Sequence, residues 1–119
     1  MVDLLFDINL QQLPDEYLTG DWRVADRVLN SNDPASALAQ ATHFQFQPGV
    51  LLVQAPTQQD GGHWIIQRDS LLSRPYLQMQ LAKEETQALV TRLRRSPDGA
   101  QSQLSLYFQS GMEIQLAKP

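Results

Sequence analysis

The stretch HFQFQPG, His43–Gly49, alternates apolar and polar residues and then stops at a turn. A period of two sends Phe44 and Phe46 to one face of a sheet and His43, Gln45 and Gln47 to the other, as in a half-buried strand. Pro48 and Gly49 suit the two central positions of a type II turn. The same alternation recurs further on. YLQMQL, 76–81, sets Leu77, Met79 and Leu81 against Gln78 and Gln80, and QLSLYF, 103–108, groups Leu104, Leu106 and Phe108. MEIQL, 112–116, groups Met112, Ile114 and Leu116. ALVTRLRR, 88–95, is read with Leu89, Thr91 and Leu93 inside and with Arg92 and Arg94 outside, their stems lying along the sheet.

Turn chemistry punctuates these runs: DGG at 60–62, SPDG at 96–99 and SG at 110–111, with KEET at 83–86 between two strands. Strands this close in sequence pair antiparallel, because a parallel crossover needs a dozen or more residues. The expected fold is mainly β, a meander in which each strand lies beside the next. Two segments read otherwise. NDPASALAQA predicts a short helix at about 34–41, with Asn32 or Asp33 as N-cap and Pro34 in its first position. Residues 1–17 read as an arm or as a plug for one end of the sheet, with Leu4, Leu5, Phe6, Ile8 and Leu10 offering apolar contact surface.

Composition narrows the class. A chain of 119 residues fits one domain. The absence of cysteine excludes disulfides and thiolate metal sites. No apolar run approaches the ~18–20 residues of a membrane-spanning helix, and MVDLLFDINL carries acids where a signal peptide carries Lys or Arg. The expected location is cytoplasmic, or periplasmic for a chain whose signal peptide has been removed. The net charge of −4 hides an asymmetry. Residues 1–66 hold two Arg against eight acids, and residues 67–119 hold seven Lys and Arg against five acids. Even TRLRRS, 91–96, falls short of the basic excess and stacking aromatics of a nucleic-acid binder, so no nucleic-acid partner is expected.

Both tryptophans sit in a Gly-x-Trp setting: LTGDWRV, Leu18–Val24, and GGHWII, Gly61–Ile66. Glycine lets a backbone pass close to its neighbour, and tryptophan buries a large ring whose N–H needs a partner. Gly20, Trp22 and Gly62 are therefore read as structural anchors. Leu18, Gly20 and Trp22, then Phe44, Phe46 and Gly49, then Gly62 and Trp64, in this order, resemble the small bacterial lipocalin-like domains of the calycin group. YLQMQLAKEETQALVTRL and QLSLYFQ are similar to that group's later strands. The resemblance implies an antiparallel up-and-down barrel of about eight strands, with an interior that is filled or holds one small ligand. It also implies a basic residue from the last strand over the first tryptophan. That strand has no Arg and only Lys118 near its end, which leaves Arg92 or Arg94 as a substitute.

Chemical motifs are sparse. His43 and His63 lack a carboxylate at recognisable spacing and read as surface histidines, with no metal or cofactor expected. No nucleophile elbow, phosphate loop or dinucleotide fingerprint occurs. Asp15-Glu16 and Glu84-Glu85 read as turn or cap residues. RDSLLSRPY, 68–76, interrupts the alternation, and Arg74 there suits a carboxylate ligand. The first expectation is a non-catalytic barrel holding a small apolar or amphipathic ligand. Its candidate contacts are Phe44, Phe46, Trp64, Ile66, Leu77, Met79, Leu106 and Phe108, with Arg74 and Tyr76 at the rim. Trp22, Leu81, Leu89 and Leu104 complete the inward set, and Met79 and Met112 supply adaptable packing. The alternative is a filled barrel that binds a protein partner through its N-terminal arm or an outer sheet face. A calycin-type enzyme ranks third, since no catalytic constellation is visible.

Overall fold

The computed structural model describes residues 5–28, 37–109 and 111–118. Its strands are β1 (Phe6–Asp7), β2 (Gly20–Val28), β3 (His43–Gln47), β4 (Val50–Gln54), β5 (Gln59–Arg68), β6 (Pro75–Leu81), β7 (Glu85–Arg95), β8 (Ser102–Phe108) and β9 (Glu113–Lys118). From β2 to β9 each strand pairs antiparallel with the next, and β9 returns to β2. These eight strands close an up-and-down barrel, and β1 lies outside it on β7.

The alternation seen in the sequence becomes the inside and outside of this barrel. Pairs in register share a face, so Trp22 with Phe44, Trp64 with Met79, and Leu106 with Ile114 all point inward. Gly49 carries the positive φ of 71° that its turn requires, and Gly99 and Gly111 do the same at φ 73° and 97°. Ser110, its partner in the SG turn, lies outside the described residues.

Two expectations need correction. DGG is no turn. Asp60, Gly61 and Gly62 belong to β5, and the β4–β5 hairpin turns earlier, where the Ala55 amide donates to Gln58 O at 2.9 Å. Glycine at 62 serves close approach, since a Cβ there would fall 1.8 Å from Gln80 O on β6. In β7, Leu89 and Thr91 are not inside: Ala88, Val90 and Leu93 are buried, Leu89 is only half-buried and Thr91 is exposed. A β-bulge between Val90 and Arg92 places Thr91 and Arg92 together on the outer side, so plain alternation misassigns this strand. The helix is observed as α1, Ala37–Gln40. The part expected at 34–36 and its cap at Asn32 or Asp33 lie outside the described residues.

The N-terminal segment does two things. Beyond β1, Ile8 and Leu10 pack against the core, and Leu13 and Leu18 are buried in it. Two 3-10 turns, Leu10–Gln12 and Asp15–Tyr17, carry this stretch across the end of the barrel where β7 and β9 finish. Leu4 lies outside the described residues. At the opposite end, Leu38, Ala39 and Ala41 are buried, and α1 packs on β4.

Candidate functional site

Phe44, Phe46, Trp64, Leu77, Met79, Leu106 and Phe108 all point inward, each with at most 2% of its surface accessible. Phe44 stacks on Phe46 with centroids 6.1 Å apart, and Phe46 meets Trp64 edge-on at 5.2 Å. Ile66 packs against the same core but is only partly buried. The two indole N–H groups are satisfied by backbone carbonyls, Trp22 Nε1 by Leu18 O at 2.8 Å and Trp64 Nε1 by Gln47 O at 2.7 Å.

The plugged end has its own chemistry. Lys118 lays its ammonium over the Trp22 ring, 4.8 Å from the centroid, and donates to Thr19 O at 3.0 Å. Arg95 does the same over Tyr17 at 4.1 Å. Burial, and then the Arg95 charge, push the Lys118 pKa down. The basic residue over the first tryptophan is thus Lys118 itself. Arg92 and Arg94 face outward, and both reach Asp7, at 3.4 and 3.3 Å.

Arg74 and Tyr76, read as rim residues of an interior chamber, lie on the outside. They border a groove of about 650 Å³ whose lining includes Arg68, Gln87, Leu89 and Tyr107. Its wall is the β5–β6 loop, built around Asp69. That carboxylate accepts from the Leu71 and Leu72 amides at 3.2 and 2.6 Å and pairs with Arg74 Nε at 2.9 Å. The Leu72 amide first, and the Arg74 guanidinium next, hold the Asp69 pKa below the usual carboxylate range. Tyr76 Oη donates to Gln67 Oε1 at 2.7 Å. Arg68 Nη1 reaches both Leu10 O and Ser73 O at 3.0 Å, so the loop is tied to the N-terminal segment. Leu71 and Leu72 are largely exposed, at 91% and 58%.

Two lesser clefts lie on the outer surface. One, of about 280 Å³, follows Asp26, Thr91, Ser105 and Gln115. It forms where the β7 bulge and a second bulge in β2, between Val24 and Asp26, stand at the same level of the barrel with Ser105 of β8 and Gln115 of β9 between them. The other, of about 330 Å³, holds Asp21, His43, Gln45 and Gln54. There Thr42 Oγ1 lies 3.1 Å from His43 Nδ1 and 3.3 Å from Gln54 O. His63 Nδ1 lies 3.2 Å from Gly49 O, away from that cleft. Among the described residues, no three His, Cys, Asp or Glu side chains gather as metal ligands.

The structure therefore separates the predicted residues. The aromatic and aliphatic set forms a packed core, while Arg74 and Tyr76 join Leu89 and Tyr107 on the outer face. Reading by sequence missed Leu71, Leu72 and Tyr107. The signal was available for the first two, a pair of leucines between serines in a segment without strand period. Compared with known protein families, with curated proteins and with solved structures, the chain finds no match, and the barrel geometry itself is compatible with a calycin fold.

Proposed function

We propose that this protein is a non-catalytic binding module with a lipocalin-like barrel, and that it recognises another protein on its outer surface at the β5–β6 loop. The observation that carries this reading is the filled interior. A chamber wide enough even for water would leave its lining accessible, yet the inward aromatic and aliphatic side chains are all but sealed. Outside, exposed Leu71 and Leu72 follow Ser70 of a groove lined by Leu89 and Tyr107, and a contiguous exposed apolar patch marks an interaction site.

A second reading keeps a small amphipathic ligand but moves it outdoors. The groove volume of about 650 Å³ lies within the usual range of ligand sites, ~300–1,000 Å³, and Arg68 and Tyr76 supply polar anchors beside its apolar floor.

Two measurements separate the readings. Native mass spectrometry of the purified protein is expected to give the bare chain mass. A co-purified small molecule overturns the protein-partner reading. A photo-crosslinking residue at Leu71 is expected to give discrete protein adducts in cells that a control at Gln45 lacks, and Leu72→Asp is expected to reduce them at least fivefold. Equal labelling at both positions overturns it.

A further inference from the structure

β7 is longer than its neighbour on one side. It pairs with β6 only from Glu85 to Leu89, so the stretch from Arg92 to Arg95 passes beyond the end of β6 with that edge free. The free edge is taken by β1, through Phe6 opposite Arg95 and Asp7 opposite Arg94. The Ile8 amide adds one more bond, to Leu93 O at 2.8 Å. Edges of this kind are templates for strand addition, and proteins usually blunt them.

The blunting here is slight. β1 has two residues, both exposed, and is held by ion pairs at the surface. Such pairs contribute little, and a two-residue ladder falls short of an ordinary strand. Charge is also mismatched. Arg92 and Arg94 converge on a single carboxylate oxygen, Asp7 Oδ1. Continuing the antiparallel register sets position 8 against Leu93 and position 9 against Arg92. Position 9 is Asn9, whose side chain accepts from the Gln11 amide at 3.0 Å and turns the chain away from β7. The chain's own arm thus answers two arginines with one acid.

We propose that the edge of β7 from Arg92 to Arg95 is a strand-addition site for an extended acidic segment of a partner protein, and that β1 fills this site until the partner displaces it. The proposal rests on the protein-partner reading above. The preferred segment carries an acid, an apolar residue and an acid in succession. The two acids lie opposite Arg94 and Arg92, and the apolar side chain follows Ile8 toward the core. Because Arg68 holds Leu10 and the Gln11 side chain donates through Nε2 to Leu72 O at 3.5 Å, displacement of the arm also loosens the loop that carries Leu71 and Leu72.

The probe is a fluorescein-labelled peptide with the sequence of residues 4–10 and an aspartate in place of Asn9. Its control carries asparagine at both acidic positions. A tethered arm competes at an effective concentration in the millimolar range, so the native chain is expected to bind the probe weakly. Asp7→Arg repels the arm from β7 and is expected to tighten probe binding at least tenfold, measured by fluorescence anisotropy. Adding Arg92→Glu and Arg94→Glu is expected to abolish it, and the control peptide is expected to bind at least tenfold more weakly. Thermal melts establish that each variant is folded, with Asp7→Asn used if Asp7→Arg is not. A folded arm variant that leaves the probe unbound overturns the proposal, as does equal binding of probe and control. A native chain that dimerises by exchanging arms, seen by light scattering, overturns it in favour of a second copy. If the probe fails while the Leu71 crosslink persists, the strand site falls alone. If the crosslink fails while the probe binds, the loop surface falls and the edge stands.

Discussion

Lys118 is a cation that folding moves into an unfavourable place. Its ammonium gains the Trp22 face and the Thr19 carbonyl but loses water, and Arg95 stands nearby with the same sign. The folded group therefore releases its proton more readily than the same lysine in the unfolded chain, whose ordinary value is 10.5. Between the two values the unfolded state binds more protons, so stability rises with pH through a window just below 10.5 and levels off above it. Urea titrations from pH 8 upward should show that rise in the native chain and its loss in Lys118→Met. The same slope in both would remove Lys118 as its source. The position of Lys118 was legible in the sequence as the one basic residue of the last strand. Its role was not, because a lysine stem long enough to fold back over a ring leaves no trace in spacing or period. Arg92 and Arg94, outward already by alternation, spend their charge on Asp7 instead.

At the level of the element, β5 places two glycines side by side with opposite demands. A Cβ at Gly61 would meet only ordinary contacts, the nearest being Leu51 O at 3.5 Å, whereas at Gly62 it would run into the backbone of β6. Gly61→Ala should leave stability within about 1 kcal/mol of the native chain, or raise it by restricting the unfolded state. Gly62→Ala should cost about 3 kcal/mol or more, since backbone cannot yield as a side-chain tip can. Chemical denaturation of the two variants decides the matter, and equal costs would refute the close approach. Neighbouring Asp60 shows why DGG misleads as a turn signal. Its buried carboxylate accepts from the amides of Gly61, Ala82 and Lys83 at 2.8, 3.1 and 3.0 Å, which ties the start of β5 to the β6–β7 hairpin. Asp and Gly are common in turns, but here one supplies a cross-strand acceptor and the other supplies room.

For the whole molecule, closure is the governing fact. The barrel shuts only when Arg23 on its first strand finds Ala117 on its last, so nearly the full chain must be organised before that seam forms. Folding dominated by such distant pairings is slow, with times of ~milliseconds to seconds. Stopped-flow refolding followed by the fluorescence of Trp22 and Trp64 should fall in that range, and a microsecond phase carrying the full amplitude would contradict it. The barrel class was legible from alternation and turn spacing, because both are local. The outer groove was not, because it joins residues from the β5–β6 loop, β7 and β8 that share no period. The misreading of β7 has a single physical cause, the residue inserted at the bulge.

That bulge also determines where the chain can change length. Thr91 and Arg92 both stand opposite Ser105, and Ala25 and Asp26 together stand opposite Gln115. Deleting Thr91 leaves Val90 inward, Arg92 outward and Leu93 inward, and deleting Ala25 likewise keeps Val24 and Arg27 on their present side. Deleting another residue from the middle of either strand turns one flank inside out. A barrel that otherwise resists single-residue loss in the middle of β2 and β7 thus carries one expendable position in each, and Thr91 from one bulge and Asp26 from the other line the same shallow cleft.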